Sequence, residues 1–389
     1  MSEKPLVALF GKTNAGKSSL FNALLNQPRA IVSDIAGTTT DAVYKTVELQ
    51  PVGPVVLTDT AGLFDGGALG EARGKKTRRL LETADLGVYV TDASQYDKNE
   101  YENIKGMLDK IGLPFLTAFA KKDLCASMQT PQNFFPVSVF DGASVDKLRA
   151  AITDSLQKNF APEPSLIEGL KTDGAVVLVI PVDSGAPAGR LILPQVKFIR
   201  DCMDKDVRCH ITNEKTLPQA LDELPRIAYA VTDSQIFPAA DRLVPREIPL
   251  VSFSVLTARQ KGDFESLCGS AASIGAVKIK GGRVLIAESC THNRSHEDIG
   301  RVKIPMLLER DARAKIEFEF CSGPEFPEDL SPFDLVVHCG GCMISARAFA
   351  ARQKAADGPG VPFTNYGLAI AYCTGVYERC ISSLKKLAE

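Results

Sequence analysis

The chain has 389 residues, of which 45% are hydrophobic and 24% charged, with a formal net charge of −2. This composition is that of a globular protein, and the length favours about three domains. The absence of a basic run disfavours nucleic acid as a partner. No apolar stretch reaches the ~18 residues that predict a membrane span.

The first residues run directly into a predicted strand without a signal-peptide pattern, so we expect a cytoplasmic protein. Disulfides are disfavoured in that compartment. The ten cysteines are therefore expected to be core fillers, reactive thiols or metal ligands.

Residues 1–160 alternate apolar runs with helical patterns, which predicts an α/β domain with a mostly parallel sheet and crossover helices. A polar, Pro-rich stretch, NFAPEPSL, predicts a linker over 161–172. The predicted strands are LVALFG (6–11), VVLTDTAG (55–62), LGVYVTDA (86–93) and PFLTAFAKKD (114–123), with SSLFNALL (18–25) as a helix.

The stretch GKTNAGKS, from Gly11 to Ser18, fits G-x-x-x-x-G-K-S between a predicted strand and helix, the context that a phosphate-binding loop requires. Backbone N–H groups and the helix N-terminus attract phosphate. Lys17 is expected to reach the β and γ phosphates, and Ser18 to bind Mg²⁺. Further nucleotide-binding candidates in this loop are Asn14, Ala15, Gly16 and Ser19.

Three sequence elements after this loop narrow the choice of nucleotide, and the first two concern the metal and the γ-phosphate. DTAG (59–62) ends a predicted strand, so Asp59 can hold Mg²⁺ through water and Gly62 N–H can sense the γ-phosphate. In GTTTD (37–41), Thr38 and Thr39 are both candidates for the switch threonine.

The base is predicted to be guanine. The stretch AKKD contains Lys121 and Asp123, and a carboxylate here can accept both N1–H and N2–H of guanine, a donor pair that adenine lacks. Ser138 and Val139, in VSVFDG (137–142), are candidates for a backbone contact to the guanine oxygen.

The middle of the chain, 173–262, predicts a second and smaller parallel-sheet α/β domain without a phosphate loop or clustered metal ligands. The residues alone favour a packing or dimerisation module. Its predicted elements are the strands AVVLVIPVD, VRCHIT, RIAYAVTD and PLVSFSV and the helix PQVKFIRDCMDK.

A third parallel-sheet α/β domain is predicted over 263–389. Its predicted strands are RVLIAESC (283–290), KIEFEFCSG (315–323), DLVVHCGGC (334–342) and VPFTNYG (361–367). Since ligands bind beyond the carboxyl ends of strands in open α/β sheets, cysteines at these ends are expected to come together. These are Cys290, Cys321, Cys339 and Cys342.

C-T-H at Cys290–His292 is followed after 45 residues by His338-Cys339-Gly-Gly-Cys342. Three readings compete: buried thiols, a Cys₃His zinc site, or an iron–sulfur cluster held by three cysteines with one labile position. A thioredoxin-like redox pair is a weaker fourth. Gly340 is expected to permit the chain turn.

The N-terminal motifs resemble the translation-factor-related GTPases, the branch with Era-like and tRNA-modification (TrmE) GTPases. Two departures from the family pattern matter: Ala120 replaces the usual Asn of the guanine motif, and Val139 replaces the usual Ala after Ser138, a mild change. In addition, Leu63 stands where Ras-type enzymes place a catalytic Gln. Leucine cannot orient water, so we expect slow intrinsic hydrolysis. In relatives of this pattern an Asn in the loop binds K⁺. The resemblance therefore implies K⁺ stimulation through Asn14.

The combination of GTPase, plain α/β module and C-x-H…H-C-x-x-C resembles the FeFe-hydrogenase maturation GTPase family, HydF, over essentially the whole chain. The resemblance implies a scaffold that binds a 4Fe–4S cluster. The scaffold would receive a diiron precursor built with two radical-enzyme maturases, and deliver it to the FeFe-hydrogenase. It also implies a homodimer formed through 173–262.

By the same resemblance, Cys290, Cys339 and Cys342 are cluster ligands, and His292 and His338 are candidates near the fourth iron, with His292 slightly favoured. Core thiols are expected at Cys125, Cys202, Cys209, Cys268, Cys321, Cys373 and Cys380, and a polar loop residue at His296.

Two other functional classes stay open at this point. One is a GTPase with a structural Cys₃His zinc domain that acts in RNA or ribosome maturation. The other is a protein-interaction module with an inactive GTPase.

Overall fold

The computed structural model forms two compact units, Glu3–Pro162 and Glu163–Glu389. None of the helices in the described part of the chain combines the length and apolar character needed to cross a membrane. The structure describes residues 4–25, 34–35, 43–60, 74, 77–78, 80–125, 129–160, 163–182, 191–289, 298–323, 326–327, 329–342 and 344–388.

The N-terminal unit contains a seven-stranded sheet in the order β2-β3-β4-β1-β5-β6-β7. All neighbouring strands from β4 to β7 are parallel, whereas β2 and β3 pair antiparallel. The strands are β1 Leu6–Phe10, β2 Asp34–Ile35, β3 Val43–Leu49, β4 Gly53–Asp59, β5 Leu86–Asp92, β6 Phe115–Ala120 and β7 Phe134–Pro136, and the helices are α1 Lys17–Leu25, α2 Lys98–Lys110 and α3 Gly142–Asn159.

The four predicted strands of this unit are present, and each ends one to three residues before its predicted boundary. β6 ends at Ala120, and the following Lys122–Cys125 is a short 3₁₀ helix, because Lys121 takes a left-handed conformation (φ 56°). The strands β2, β3 and β7 were not predicted. In VYKTVEL, polar side chains interrupt the apolar run, as expected of a strand with an exposed face.

The second sheet has four parallel strands in the order β11-β10-β8-β9. All five residues of β8 are buried, as expected for a central parallel strand covered on both faces. Its elements are β8 Ala175–Val179, α4 Leu193–Asp204, β9 Cys209–Thr212, α5 Leu217–Glu223, β10 Ile227–Thr232, α6 Phe237–Leu243, β11 Leu250–Ser252 and α7 Phe253–Lys261.

The run PLVSFSV was predicted as one strand, and that prediction is wrong in its second half. The strand ends at Ser252, whose hydroxyl accepts a hydrogen bond from Val255 N–H and thereby caps α7. Serine is a strong helix N-cap, and this capping competes with continued strand structure. The apolar residues after Ser252 are buried on a helix instead.

The third sheet is again parallel, in the order β13-β12-β14-β15. β12 and β14 are central, so their carboxyl ends lie side by side, with Ala287 paired to His338. The elements are α8 Phe264–Ala271, α9 Ser273–Lys280, β12 Gly282–Glu288, α10 Ile304–Glu309, β13 Ile316–Ser322, β14 Leu335–His338, α11 Ala346–Asp357, β15 Phe363–Asn365, α12 Tyr366–Thr374 and α13 Tyr377–Ala388.

The second and third sheets share one buried core. Side chains of β8, such as Val177, belong to the same apolar cluster as Leu285 of β12 and Phe363 of β15. Helix α7 contacts α4 on one side and α11 and α12 on the other. The α/β class with a GTPase-like first sheet and two further parallel sheets is thus confirmed, whereas the boundaries at residues 160, 172 and 262 stay a prediction.

Candidate functional site

The phosphate loop lies between β1 and α1, as predicted. Gly11 has φ 149°, and a Cβ at this position would clash with the Val90 carbonyl oxygen, so β5 leaves space for glycine only. The Lys17 side chain is buried, and its Nζ donates to Gly11 O at 3.1 Å and to Lys12 O at 2.6 Å. The loop therefore curls around this ammonium group. Ala15 and Gly16 complete the curve, and Ser19 follows in the first helical turn.

The two predicted magnesium ligands are in contact. Ser18 Oγ, on the first turn of α1, donates to Asp59 Oδ2 at the end of β4 at 2.6 Å. Burial raises the pKa of Asp59, while the Ser18 hydrogen bond and the Lys17 charge act to lower it. A divalent cation between hydroxyl and carboxylate would favour the ionised form. The oxygen pair suits Mg²⁺.

Lys121 connects the phosphate loop to the end of β5 through hydrogen bonds. Its Nζ donates to Asn14 O at 2.7 Å and to Asp92 Oδ2 at 2.8 Å. Burial acts to raise the pKa of Asp92, but hydrogen bonds from Lys121 and Ser94 outweigh it and hold that pKa below its ordinary value. The aliphatic stem of Lys121 thus lies beside the loop. The Asn14 side chain is exposed, with left-handed backbone (φ 62°).

The predicted guanine contacts lie beyond β6 and β7. Asp123 is exposed on the 3₁₀ turn after Lys121. Ser138 is buried, and its N–H donates to Ser144 Oγ at 3.1 Å, while Val139 is exposed. The sheet brings both segments together, because Lys122 N–H donates to Val137 O. The switch candidates Thr38, Thr39 and Gly62 lie outside the described residues.

A second candidate site lies at the carboxyl ends of β12 and β14. The strand β14 ends at His338, and the C-x-x-C loop follows it. The left-handed residue of this loop is Gly341 (φ 69°) rather than Gly340, and a Cβ on Gly341 would stand 2.7 Å from the Phe349 ring. Glycine at this position lets the loop fold back against α11.

The sulfur of Cys339 receives several polar contacts. Ser289 N–H donates to it at 3.1 Å, Gly341 N–H at 3.4 Å, and the Ser289 hydroxyl oxygen is 3.3 Å away. The Cys339 N–H itself donates to Ala287 O at 2.8 Å. Hydrogen bonds to cysteine sulfurs are common where those sulfurs bind iron–sulfur clusters. The next residue after Ser289 in the chain is Cys290, which lies outside the described residues, as does His292.

Cys342 is partly buried on the same loop. Burial raises the pKa of its thiol, and the neighbouring Cys339 raises it further, while the charge of Lys261 acts to lower it. Cys321, near the end of β13, is buried, and burial raises the pKa of its thiol to about 11. This environment is that of a protonated core thiol.

His338 is completely buried and uses both ring nitrogens. Its Nδ1 lies 2.7 Å from Cys339 O, and Nε2 lies 3.0 Å from Arg352 Nη1. Because Arg352 can only donate, Nε2 accepts and Nδ1 carries the proton. Burial, with the Arg352 charge, lowers the pKa of His338 to about 3, so the ring is neutral. The Phe363 ring stacks on it at 5.5 Å.

Three further residues around this loop were not predicted from the sequence as site residues. Lys261 and Arg352 are cations that are only 5% and 7% exposed. The Tyr366 hydroxyl is buried without a hydrogen-bond partner among the described residues, and its environment includes Cys339. No sequence signal identifies them, because they are distant in the chain.

These features fit an anionic metallocluster. Two buried cations would offset the charge of such a cluster, N–H groups point at a cysteine sulfur, and a hydroxyl without a partner among the described residues lies nearby. Within the described ranges, no three His, Cys, Asp or Glu side chains are grouped as a metal site. The third cysteine of the predicted set, Cys290, falls outside those ranges.

Comparison with known proteins supplies a family for each part of the chain. The hydrogen maturase F dimerization domain matches residues 166–262, and the hydrogen maturase F tetramerization domain matches residues 266–383. A 50S ribosome-binding GTPase domain matches residues 6–121.

Curated relatives match part of the chain. The tRNA modification GTPase MnmE of Aquifex aeolicus is 47% identical over 104 residues, which is 25% of this chain and 23% of that protein. GTPase Der of Kosmotoga olearia is 37% identical over 123 residues, 30% of this chain and 28% of that protein. The chain thus spans about a quarter of the length of these relatives.

Solved structures with similar folds include Era of Aquifex aeolicus bound to GDP·AlF₄⁻. That match has 16% identity and a TM-score of 0.32, and covers 62% of this chain and 98% of that one. The G domain of the T. maritima FeoB iron transporter matches with 24% identity and a TM-score of 0.30, over 40% of this chain and 100% of that one.

The two hydrogen maturase F domains follow a GTPase domain in one chain. The chain therefore belongs to the hydrogen maturase F family of hydrogenase maturation GTPases, with a TrmE/Era-like GTPase domain.

Proposed function

We propose that the protein is a GTP-hydrolysing scaffold that binds a 4Fe–4S cluster, assembles a diiron subcluster precursor on it and transfers that precursor to FeFe-hydrogenase. The observation that carries this proposal is the environment of Cys339. Its sulfur accepts hydrogen bonds from Ser289, the residue before Cys290, and from Gly341 in the C-x-x-C loop. The carboxyl end of β12, which leads into C-T-H, therefore lies beside the H-C-x-x-C loop.

In this proposal, Cys290, Cys339 and Cys342 hold the cluster. A 4Fe–4S cluster with three cysteine ligands supplies one iron that exchangeable groups can bind, which suits a carrier that must release its cargo. His292 is the candidate next to that iron. The neutral, doubly hydrogen-bonded His338 is better suited to fix the loop than to bind iron.

The phosphate loop binds GTP with Mg²⁺, and in the proposed reaction Lys17 holds the β and γ phosphates. Ser18 and Asp59 hold the metal, while Thr38 or Thr39 and the Gly62 N–H sense the γ-phosphate. Asp123, with Lys121, Ser138 and Val139, selects guanine. Differential contacts to the γ-phosphate are what allow GTP to act as a switch.

Turnover is proposed to be slow, because Leu63 cannot orient water, and to be stimulated by K⁺ bound at Asn14. The Asn14 side chain is exposed on the phosphate loop and so is accessible to a cation. Equal rates of phosphate release in K⁺ and Na⁺ buffers would contradict this part of the proposal.

The proposed partners are the FeFe-hydrogenase, two radical-enzyme maturases and a second copy of the chain. The matched dimerization and tetramerization domains support self-association. Residues 173–262 are proposed as the dimerisation domain, 263–389 as the cluster domain and the cytoplasm as the compartment.

The test is anaerobic reconstitution of the full chain with iron and sulfide. Wild-type protein should bind about four irons, turn brown and give a cluster EPR signal when reduced. Cys339→Ser and Cys342→Ser should each lose the signal and leave GTP hydrolysis within about twofold of wild type, since the residues belong to separate compact units.

Cys321→Ala is the matched control, because this buried thiol stands at the same sheet edge but lies outside the predicted ligand set. Its iron content should stay at the wild-type level. A colourless wild-type protein that retains one zinc would instead establish the structural-zinc alternative and refute the scaffold.

A further inference from the structure

The last turn of α7 touches two distant parts of the chain. On one side, Arg259 Nη2 donates to Glu168 O at 2.7 Å, and Gln260 Nε2 donates to Pro164 O. These acceptors belong to the segment 163–168, with which the C-terminal unit begins. On its other side, this turn reaches the C-x-x-C loop through Lys261.

The Lys261 ammonium group sits between the two. Its Nζ donates to Gly341 O at 3.0 Å and to Ile344 O at 2.6 Å, and it pairs with Glu163 Oε1 at 2.9 Å. The ammonium group thus donates to two backbone carbonyls and forms an ion pair with one carboxylate. Since the two carbonyls lie on either side of Cys342 in the sequence, the contacts hold the loop before and after this cysteine.

The ion pair is buried. The exposed fractions of the Lys261 and Glu163 side chains are 2% and 5%. Glu163 also pairs with Lys197 of α4, whose Nζ donates to Gln260 Oε1 at 3.0 Å. Buried ion pairs contribute little net stability, because desolvation offsets the attraction, but removing one partner leaves a charge unpaired. Such pairs are more useful for fixing one geometry than for stabilising the fold.

We propose that Lys261 is a positioning residue of the C-x-x-C loop, and that its ion pair with Glu163 connects this loop to the segment that follows the GTPase unit in the chain. In this role Lys261 acts through the backbone carbonyls of Gly341 and Ile344, which flank Cys342 in the sequence. The inference rests on the proposed function only in taking the ligand of this loop to be an iron–sulfur cluster. Its first test uses apo protein and needs no cluster.

The test compares full-length apo proteins under anaerobic conditions by hydrogen–deuterium exchange. Lys261→Met keeps the side-chain length but removes charge and donors. It should speed exchange in the peptide covering 339–345 by at least about tenfold, as expected when hydrogen bonds from a charged group are lost. Lys261→Arg should restore part of the protection.

Glu163→Gln tests the connection. It should speed exchange in the same loop through the loss of its ion pair with Lys261, and by less than Lys261→Met. The matched control is Lys205→Met, which removes an exposed ion pair with Glu168 near the same segment and should leave the loop unchanged.

Loop exchange in Lys261→Met equal to that in Lys205→Met would overturn the positioning role. If Lys261→Met fails to fold, the positioning role would be overturned by loop exchange in both Lys261→Arg and Glu163→Gln that is as slow as in the wild-type protein. A Glu163→Gln protein with unchanged loop exchange would refute the connection alone. If wild-type protein takes up no iron, the proposed function is refuted, whereas the comparisons between apo proteins remain valid.

In reconstituted protein, the EPR g-values of the reduced cluster provide a measurement that a general loss of stability does not change. Lys261→Met should shift the EPR g-values of the reduced cluster relative to wild type, and Lys261→Arg should shift them less. Unaltered g-values in Lys261→Met would argue against a role in positioning Cys342.

Discussion

Single buried polar side chains organise both candidate sites. Lys17 is buried within the phosphate loop, where it donates to two carbonyls that phosphate oxygens can replace as partners. His338 and Arg352 form a hydrogen-bonded pair under the C-x-x-C loop. In each case a side chain holds backbone that must present a ligand-binding surface. Replacing either should therefore have an effect beyond the loss of one contact.

At the phosphate loop, Lys17→Ala should lower the rate of GTP hydrolysis by at least about a hundredfold, because it removes the cation that stabilises charge on the transferred phosphoryl group. Phosphate release at saturating GTP measures this effect. Lys12→Ala is the control, since Lys12 is half exposed and pairs with Glu100 at the surface. Iron content after reconstitution should be the same in all three proteins; a loss of iron in Lys17→Ala would contradict the separation of the sites.

Under the C-x-x-C loop, His338→Leu should lower the free energy of unfolding by about 2–4 kcal/mol, because it leaves the buried Arg352 without its imidazole acceptor. His338→Gln should recover part of that loss by offering an amide oxygen. Urea unfolding of the apo protein gives both values. Folded His338→Gln should still bind iron; a variant with normal stability but no iron would identify His338 as a ligand after all.

Among the secondary-structure elements, the ends of strands decide where chemistry can occur. In both the first and the third sheet the functional loops follow the carboxyl ends of central parallel strands, β1 and β4 in one case and β12 and β14 in the other. The topology brings these ends together although the strands are distant in the chain. The amino ends carry no predicted site residue.

The element that closes the C-terminal unit, α13, gives a pH-dependent prediction. Cys380 on this helix is completely buried, and burial raises the pKa of its thiol from near 9 to about 12. The unfolded thiol ionises first, so the stability that the buried neutral thiol contributes is present below pH 9 and is lost as the pH rises toward 12.

Cys380→Ala should therefore be less stable than wild type at pH 8, by about 1–2 kcal/mol for the small cavity, and the difference should shrink toward pH 11. Urea unfolding of both apo proteins at several pH values between 8 and 11 measures the difference. A gap that stays constant or widens with pH would contradict the assignment to the buried thiol.

For the whole molecule, the described residues form several apolar clusters, each made of residues from one compact unit alone. We expect two unfolding transitions in calorimetry. A non-hydrolysable GTP analogue with Mg²⁺ at a hundred times its Kd should stabilise one of them by about 2.7 kcal/mol and leave the other unchanged. Equal shifts of both transitions would show that the units unfold together, and Lys17→Ala should abolish the shift.

The sequence by itself determined the α/β class, the phosphate loop and the strands that lead to both sites. These features are written in contiguous runs: G-x-x-x-x-G-K-S needs eight neighbouring residues, and a buried parallel strand is a continuous apolar run. The family followed from the order of these motifs. Strand β3 was not predicted, because the polar residues of its exposed face interrupt the apolar pattern. The end of β11 was not predicted, because the Ser252 cap starts a helix within an apolar run.

Only the tertiary structure decided which side chains surround the C-x-x-C loop. Ser289, Lys261 and Arg352 reach it from different elements, with Lys261 and Gly341 separated by 80 positions in the chain. No local pattern encodes such contacts, because the pairing of β12 with β14 and the packing of α7 create them. The same packing places both ring nitrogens of His338 in hydrogen bonds, which its position next to a cysteine does not reveal.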